Sequence, residues 1–400
     1  MAKPFINAAD QTSVDAAHFL MRVGLILGFV VTPIALLMSQ RSIFVVSPIA
    51  AVLILAAGLM LSQLMRVKEV FAFLASRIGL ACVCVSVWAF ASLLWTPFPA
   101  EAAPRLFKIV STLLLVLPVA SVLPARSRPA NLYVLPLGVA VASFGVVVLD
   151  IVLSTERHNA LTTETLSRAT SVLLLLVWPA MLAVVLRGRP TMAASVAIVS
   201  VAAALSVHAT TALLATILAA LAFLAAKINK EKSGFWIGRI GAVSFIFAPL
   251  LPWLLGPLIG DAVASLAWLK DWNGILTVDG VRLFTGHGFN YVASGYFHGY
   301  LGAETPKSSL FEMWTDLGVL GALASAALLY WAYRLAAVQS AKAAPYWMGA
   351  LTFVVAFGVL GGGALQLWWV TALALALVAL ILATRGEFQT ARPTAPRHVL

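Results

Sequence analysis

The chain is a succession of apolar runs, each about 17 to 24 residues long, the length an α-helix needs to cross roughly 30 Å of hydrocarbon. They fall near positions 19–38, 43–63, 78–96, 106–123, 131–153, 169–186, 191–207, 209–226, 235–258, 317–334, 345–361 and 365–384. Hydropathy thus predicts about twelve crossings. None of the runs alternates polar and apolar residues as a membrane barrel strand does. In hydrocarbon every backbone N–H and C=O must be satisfied within the element, and for such runs the helix is the form that does so. Composition agrees: 62% of the 400 residues are hydrophobic and 10% charged, more apolar surface than a water-soluble domain of this size can cover. The expected fold class is all-α, a polytopic integral membrane protein with about twelve transmembrane helices and one large periplasmic loop containing short helices.

Charge placement sets the orientation, because short cytoplasmic loops carry the Lys and Arg excess. With the N-terminus inside, the cytoplasmic connections hold Arg66, Lys68, Arg77, Arg126, Arg128, Arg187, Arg189, Lys227, Lys230, Lys232, Arg239, Arg334 and Lys342, and the tail adds Arg385, Arg392 and Arg397. Most acids, among them Glu101, Glu156, Glu164, Asp261, Asp271, Asp279, Glu304, Glu312 and Asp316, fall on the opposite side. The expected layout is a cytoplasmic N-terminal segment (1–18), a transmembrane domain (19–384) with a periplasmic loop (260–316), and a cytoplasmic disordered tail (385–400). The first apolar run is too long for the core of a cleavable signal and reads as a signal anchor. One junction stays open: the seventh and eighth runs meet around Ser206–Thr211 and are either two half-length crossings or one long tilted helix.

The net charge of +11 is spread over short loops and forms no basic stripe, so no nucleic-acid partner is implied. Cys82 and Cys84 lie inside an apolar run without His or acidic companions and read as small buried hydrophobes. No His, Cys, Asp or Glu spacing suggests a metal site, and no cofactor is expected.

The polar chemistry is concentrated in Gly260–Asp316, which carries Lys270, Asp271, Asp279, Arg282, His287, His298, Glu304, Lys307 and Glu312. Trp268, Leu269, Trp272, Ile275 and Leu276 recur at helical spacing and predict a helix lying in the interface plane. Thr285–Asn290 is a Gly-punctuated turn. A further helix is expected to begin near Pro306, with Ser308 or Ser309 as its cap. Lys307 then stands at a helix start, where the dipole disfavours a cation, which points to an anion nearby. On the same outer side, Arg105 with Lys108 and Arg157 with Arg168 are cations where topology disfavours them, a pattern that fits ion pairing or anion binding. Arg168 reads as lying where the sixth helix begins, poised either for a phosphate or for a pair with Glu164 one turn earlier.

From Trp272 through Gly286, His287 and Gly288 to Pro306, Lys307, Ser308, Ser309, Leu310, Phe311 and Glu312, and on through Asp316, Leu317, Gly318 and Gly321, the chain resembles the O-antigen ligase and Wzy-type polymerase superfamily. Upstream, Ser167, Arg168 and Ala169 leading to Trp178, Pro179 and Ala180 are similar to the family's Asn-Arg-Gly segment and the helix after it, and Ser206–Ala212 to its Ser-rich break. The resemblance covers roughly Thr165–Leu323 and implies transfer of a glycan from undecaprenyl pyrophosphate to an acceptor hydroxyl in the periplasm, metal-independent and inverting at the anomeric carbon. The acceptor is lipid A core for a ligase and another lipid-linked glycan for a polymerase, and both share membrane lipid as their setting. A pyrophosphate leaving group without a divalent ion must be stabilised by Arg and Lys. The resemblance assigns Arg168 to that role; Arg282 and Arg157, cations on the same outer face, and Lys270, the cation nearest the place of a second family Arg, are further candidate pyrophosphate ligands. Lys307 stands where the family has its functional His, and Trp268 where a second Arg is expected. Lys307, Glu304 and His298 are accordingly the candidate catalytic residues. The implied setting is the bacterial inner membrane, with both termini cytoplasmic.

Two rival readings use the same sequence. A transporter or flippase of lipid-linked saccharide would place ionisable residues at mid-membrane, where these runs have almost none. A non-catalytic partner in polysaccharide assembly fits the exchange of His for Lys307.

Overall fold

The computed structural model of the protein describes residues 8–61, 67–123, 129–155, 160–250, 272, 274–275, 280–302, 305–361 and 366–385. These residues form helices and turns, with no strand among them. Helix α1 (Ala8–Ile26) runs through a π-helical turn (Leu27–Val31) into α2 (Thr32–Met38). Pro33 has no N–H for the preceding turn, so the helix widens there, and the Thr32 hydroxyl donates to the carbonyl of Leu27 at 2.9 Å. There follow α3 (Ile43–Met60), α4 (Val67–Leu74), α5 (Arg77–Ser92), α6 (Pro99–Val122), α7 (Pro129–Thr155), α8 (Ala160–Val185), α9 (Pro190–Ser206), α10 (Thr210–Ile228) and α11 (Lys230–Phe247). Two short helices, α12 (Gly280–Thr285) and α13 (Tyr291–Phe297), precede α14 (Ser309–Val338), α15 (Ala344–Val359) and α16 (Leu367–Arg385).

Among the described residues nine helical stretches are long and apolar enough to cross a membrane, and α5, α9 and α15 are shorter apolar helices. The protein is a multi-pass helical membrane protein. The junction left open by hydropathy is broken: α9 ends at Ser206, α10 starts at Thr210, and between them His208 adopts a left-handed φ of 54°. Cys82 is partly buried and Cys84 is exposed, so only the first approaches the buried role expected of both.

The contacts group the chain into two compact units. The first contains Met1–Val67, Val116–Ala209 and Ala374–Leu400. Its centre is α8, whose Leu173, Leu174, Leu175, Leu176 and Leu182 are all fully buried, the mark of a helix covered on every side. Helices α7 and α9 meet through a buried hydrogen bond between Ser143 and Ser200, 2.9 Å between hydroxyl oxygens, a polar link of the kind that joins helices in lipid. The guanidinium of Arg385 donates to the carbonyls of Ala120 and Leu123 at 2.6 and 2.7 Å, satisfying acceptors left open at the end of α6.

The second unit contains Lys68–Leu115 and Thr210–Leu373. Here α10 packs on α15, and both α5 and α11 pack on α14. A stripe of buried alanines on α10, Ala212, Ala215, Ala219 and Ala222, lets helix backbones approach closely. Helix α14 begins at Ser309, later than the start near Pro306 that was expected, and of the two serines expected as its cap Ser308 is the one, its hydroxyl accepting the N–H of Phe311 at 3.2 Å.

Candidate functional site

The site is organised by a break within α14. Gly318 has φ 64° and ψ −162°, a region that only glycine occupies without strain. The break releases carbonyls that a straight helix would use, and a distant turn takes them up. Thr315 accepts the N–H of His287 at 2.9 Å, and Asp316 accepts that of Gly288 at 2.9 Å. The carbonyl of Leu317 accepts the indole N–H of Trp88 at 2.9 Å. The turn lies so close that a Cβ on Gly286 would stand 2.2 Å from the carbonyl oxygen of Asp316. Phe289 is fixed from both sides by α5 and the segment after it: its N–H donates to the Ser92 hydroxyl, and its carbonyl accepts the Thr96 hydroxyl, both at 3.0 Å. Its ring is buried with Ala89, Ala102, Leu106, Ile109 and Leu317.

The turn hands over to α13 at Asn290, whose φ of 71° leaves its side chain unable to cap the helix. The carboxyl group of Asp316 does so instead, accepting the N–H groups of Asn290 and Val292 at 2.8 and 2.9 Å. Freed from capping, the Asn290 side chain joins a polar chain. Its oxygen accepts from Arg105, and its nitrogen donates to the Ser294 hydroxyl at 2.6 Å. Ser294 donates in turn to one carboxylate oxygen of Glu101. The other Glu101 oxygen lies 3.0 Å from Nε2 of His298, whose ring is stacked on Phe98 at 4.9 Å with planes 10° apart. On α6, Glu101, Arg105 and Lys108 follow at helical spacing and share a face. Glu312 and Asp316, one turn apart on α14 and both buried, lie within the field of the Arg105 cation.

Around the turn, burial pushes the imidazole of His287 below the usual histidine range. The cation of Arg282 adds to the effect, and the hydrogen bond to the Thr315 carbonyl opposes it. That bond, 3.2 Å from Nδ1, makes Nδ1 the donor nitrogen. The ring stacks on Tyr291 at 4.5 Å, and burial raises the Tyr291 phenol above its ordinary value.

The structure brings some of the expected residues together. Lys307 stands just before α14, with its ammonium 4.4 Å from the centre of the Tyr296 ring and 3.4 Å from the Tyr296 hydroxyl. The negative face of the ring meets the cation. His298 is in the Glu101 network. Arg282 lies in the last turn of α12, where a cation complements the helix dipole, and its charge reaches His287 and Tyr291. Arg157, Lys270 and Glu304 lie outside the described residues.

Two local expectations are corrected. Arg168 belongs to the first unit, and because α8 already begins at Ala160 it sits beyond the helix start, away from the free N–H groups that were expected beside it. Its guanidinium donates to Glu164 and to Gln40, the pairing weighed against phosphate. Trp272, expected in the interface plane, is buried and meets Phe311 edge-on at 5.1 Å, in a cluster with Ile275 and Trp314; the rest of that stretch is outside the described residues.

Sequence reasoning missed Glu101, Asn290, Ser294 and Asp316 as a set. The local signals are the spacing of Glu101, Arg105 and Lys108 and that of Asn290 and Ser294, while the links from α6 to the turn and α13 span 185 to 197 residues. Among the described residues no three His, Cys, Asp or Glu side chains gather as a metal would require. No family model, curated protein or solved structure matches the chain.

Proposed function

We propose that the protein transfers a glycan from undecaprenyl pyrophosphate to an acceptor hydroxyl at the periplasmic face of the bacterial inner membrane, as an O-antigen ligase-like enzyme or a surface polysaccharide polymerase. One observation carries this reading. The segments bearing the resemblance, the Gly286–Asn290 turn and Asp316–Gly318, lie against each other around the break in α14, and Lys307 at the start of the same helix is held by Tyr296 of α13. The cations Arg105, Arg282 and Lys307 belong to this same unit, as stabilisation of a departing diphosphate without a divalent ion requires. In this scheme Arg282 and Lys307 take up the charge of the leaving group, with Lys270 as a further ligand, and Arg168 and Arg157 remain candidates for phosphate binding in their own right.

The layout belonging to this function is twelve crossings with both termini cytoplasmic and 260–316 in the periplasm. The basic residues of the short loops support it. A cysteine placed at Phe297, which is 85% exposed, should react with an impermeant thiol reagent in intact cells; reaction only after permeabilisation contradicts the layout. The function is tested by the surface glycans of a deletion strain. Loss of all long chains from lipid A identifies a ligase, single-repeat products identify a polymerase, and an unchanged profile contradicts both.

A further inference from the structure

The proposed reaction needs a group that removes the acceptor proton, and Lys307 does not meet the need where it lies: an ammonium group offers donors and no acceptor, and this one rests on the Tyr296 ring. We infer that His298, held by Glu101, is the general base that deprotonates the acceptor hydroxyl, an inference that rests on the glycan-transfer reading above.

The geometry is that of an oriented imidazole. Nε2 of His298 is 3.0 Å from the Glu101 carboxylate. A carboxylate only accepts, so the proton of neutral His298 sits on Nε2 and the lone pair on Nδ1. The parallel stack on Phe98 sets the ring plane. Glu101 is itself held, because its second oxygen accepts from Ser294, which accepts from Asn290, which accepts from Arg105. The imidazole is therefore positioned by a chain reaching back to the docked turn. At the same time the His298 side chain is 48% exposed, so a substrate hydroxyl can reach it.

The acceptor oxygen attacks the anomeric carbon while its proton passes to Nδ1 of His298. The bond from the anomeric carbon to the diphosphate oxygen breaks, and its electron pair leaves with the diphosphate. The imidazolium formed is stabilised by Glu101 and later returns its proton to water. His298 is thus a catalytic residue and Glu101 a positioning residue.

The test uses the full-length protein in lipid nanodiscs with an undecaprenyl-diphosphate-linked glycan and its acceptor. For His298→Gly, kcat should fall about 100- to 10,000-fold with KM nearly unchanged, and imidazole added to the buffer should restore part of the rate. His298→Gln, which keeps a donor toward Glu101 and lacks a base, should be equally slow in a folded protein. Glu101→Gln should lower kcat by a smaller factor at the same KM and should not respond to imidazole. Wild-type turnover by either His298 variant, or a folded His298→Gly variant that imidazole fails to revive, overturns the assignment while leaving glycan transfer intact. Absence of transfer by the wild type instead overturns the functional reading, and this inference with it.

Discussion

The carboxyl group of Asp316 accepts the backbone N–H of Asn290 at 2.8 Å, so the broken helix α14 supplies the cap that the left-handed Asn290 does not give its own helix. Together with the bond from the N–H of Val292 at 2.9 Å, this contact ties the start of α13 to the break. Asp316→Ala would leave two buried N–H groups without acceptors, a loss of about 1–3 kcal/mol each when unsatisfied. The expected result is a clear drop in the melting temperature of the detergent-solubilised protein, together with faster proteolysis between residues 280 and 302. Wild-type values for both would show that the cap contributes little.

The partly buried imidazole of His287 predicts a pH dependence. Its pKa is depressed in the fold relative to the unfolded chain, so the unfolded state binds a proton first as pH falls. The stability this group contributes is complete above the ordinary histidine pKa of about 6.5 and is lost progressively as pH falls below it. His287→Phe, which keeps a ring against Tyr291, should weaken the decline in melting temperature between about pH 7.5 and 5.5. An identical decline in variant and wild type assigns the effect to other groups.

Arg168 separates binding from stability. Its pair with Glu164 is partly exposed at one helical turn, an arrangement that contributes only about 0.3–0.5 kcal/mol. Arg168→Ala should therefore leave the melting temperature nearly unchanged while abolishing transfer, and Arg168→Lys should restore little, since an ammonium lacks the fork that grips a diphosphate. Undiminished transfer by Arg168→Ala would remove this residue from the donor site.

For Lys307 the charge is what the proposal requires. Lys307→Arg should keep much of the activity, and Lys307→Ala should reduce kcat about 100-fold, the loss expected when one stabilising donor is removed. Equal losses in the two variants would show that the amine itself is needed. A Lys307→His variant more active than wild type would withdraw its role as anion holder.

The parts of the molecule legible in the sequence are those governed by local rules. Apolar length announces the apolar helices, and the pair Ser308 and Ser309 marks the start of α14, where Ser308 is the cap. The break at Gly318 is not legible, because Asp316, Leu317 and Gly318 sit within a strongly helical pattern and a glycine inside it signals only weakened propensity. The break exists because the Gly286–Asn290 turn and Trp88 take over its carbonyls, a tertiary fact. The pairing of Glu101 with His298 joins residues 197 apart, beyond any spacing rule. Trp272 misled in the opposite way: an aromatic residue in an amphipathic stretch suits a membrane interface and a protein core equally well, and Phe311 decides between them.

The most direct measurement is transfer by the purified wild-type protein in nanodiscs, in the presence of a metal chelator, with a radiolabelled undecaprenyl-diphosphate-linked glycan and either lipid A core or a second lipid-linked glycan as acceptor. The account predicts that label appears on one of these acceptors with release of undecaprenyl diphosphate, and that Arg282→Ala loses this activity while remaining folded. Movement of the intact lipid-linked glycan across a vesicle bilayer, with no label reaching either acceptor, would contradict it.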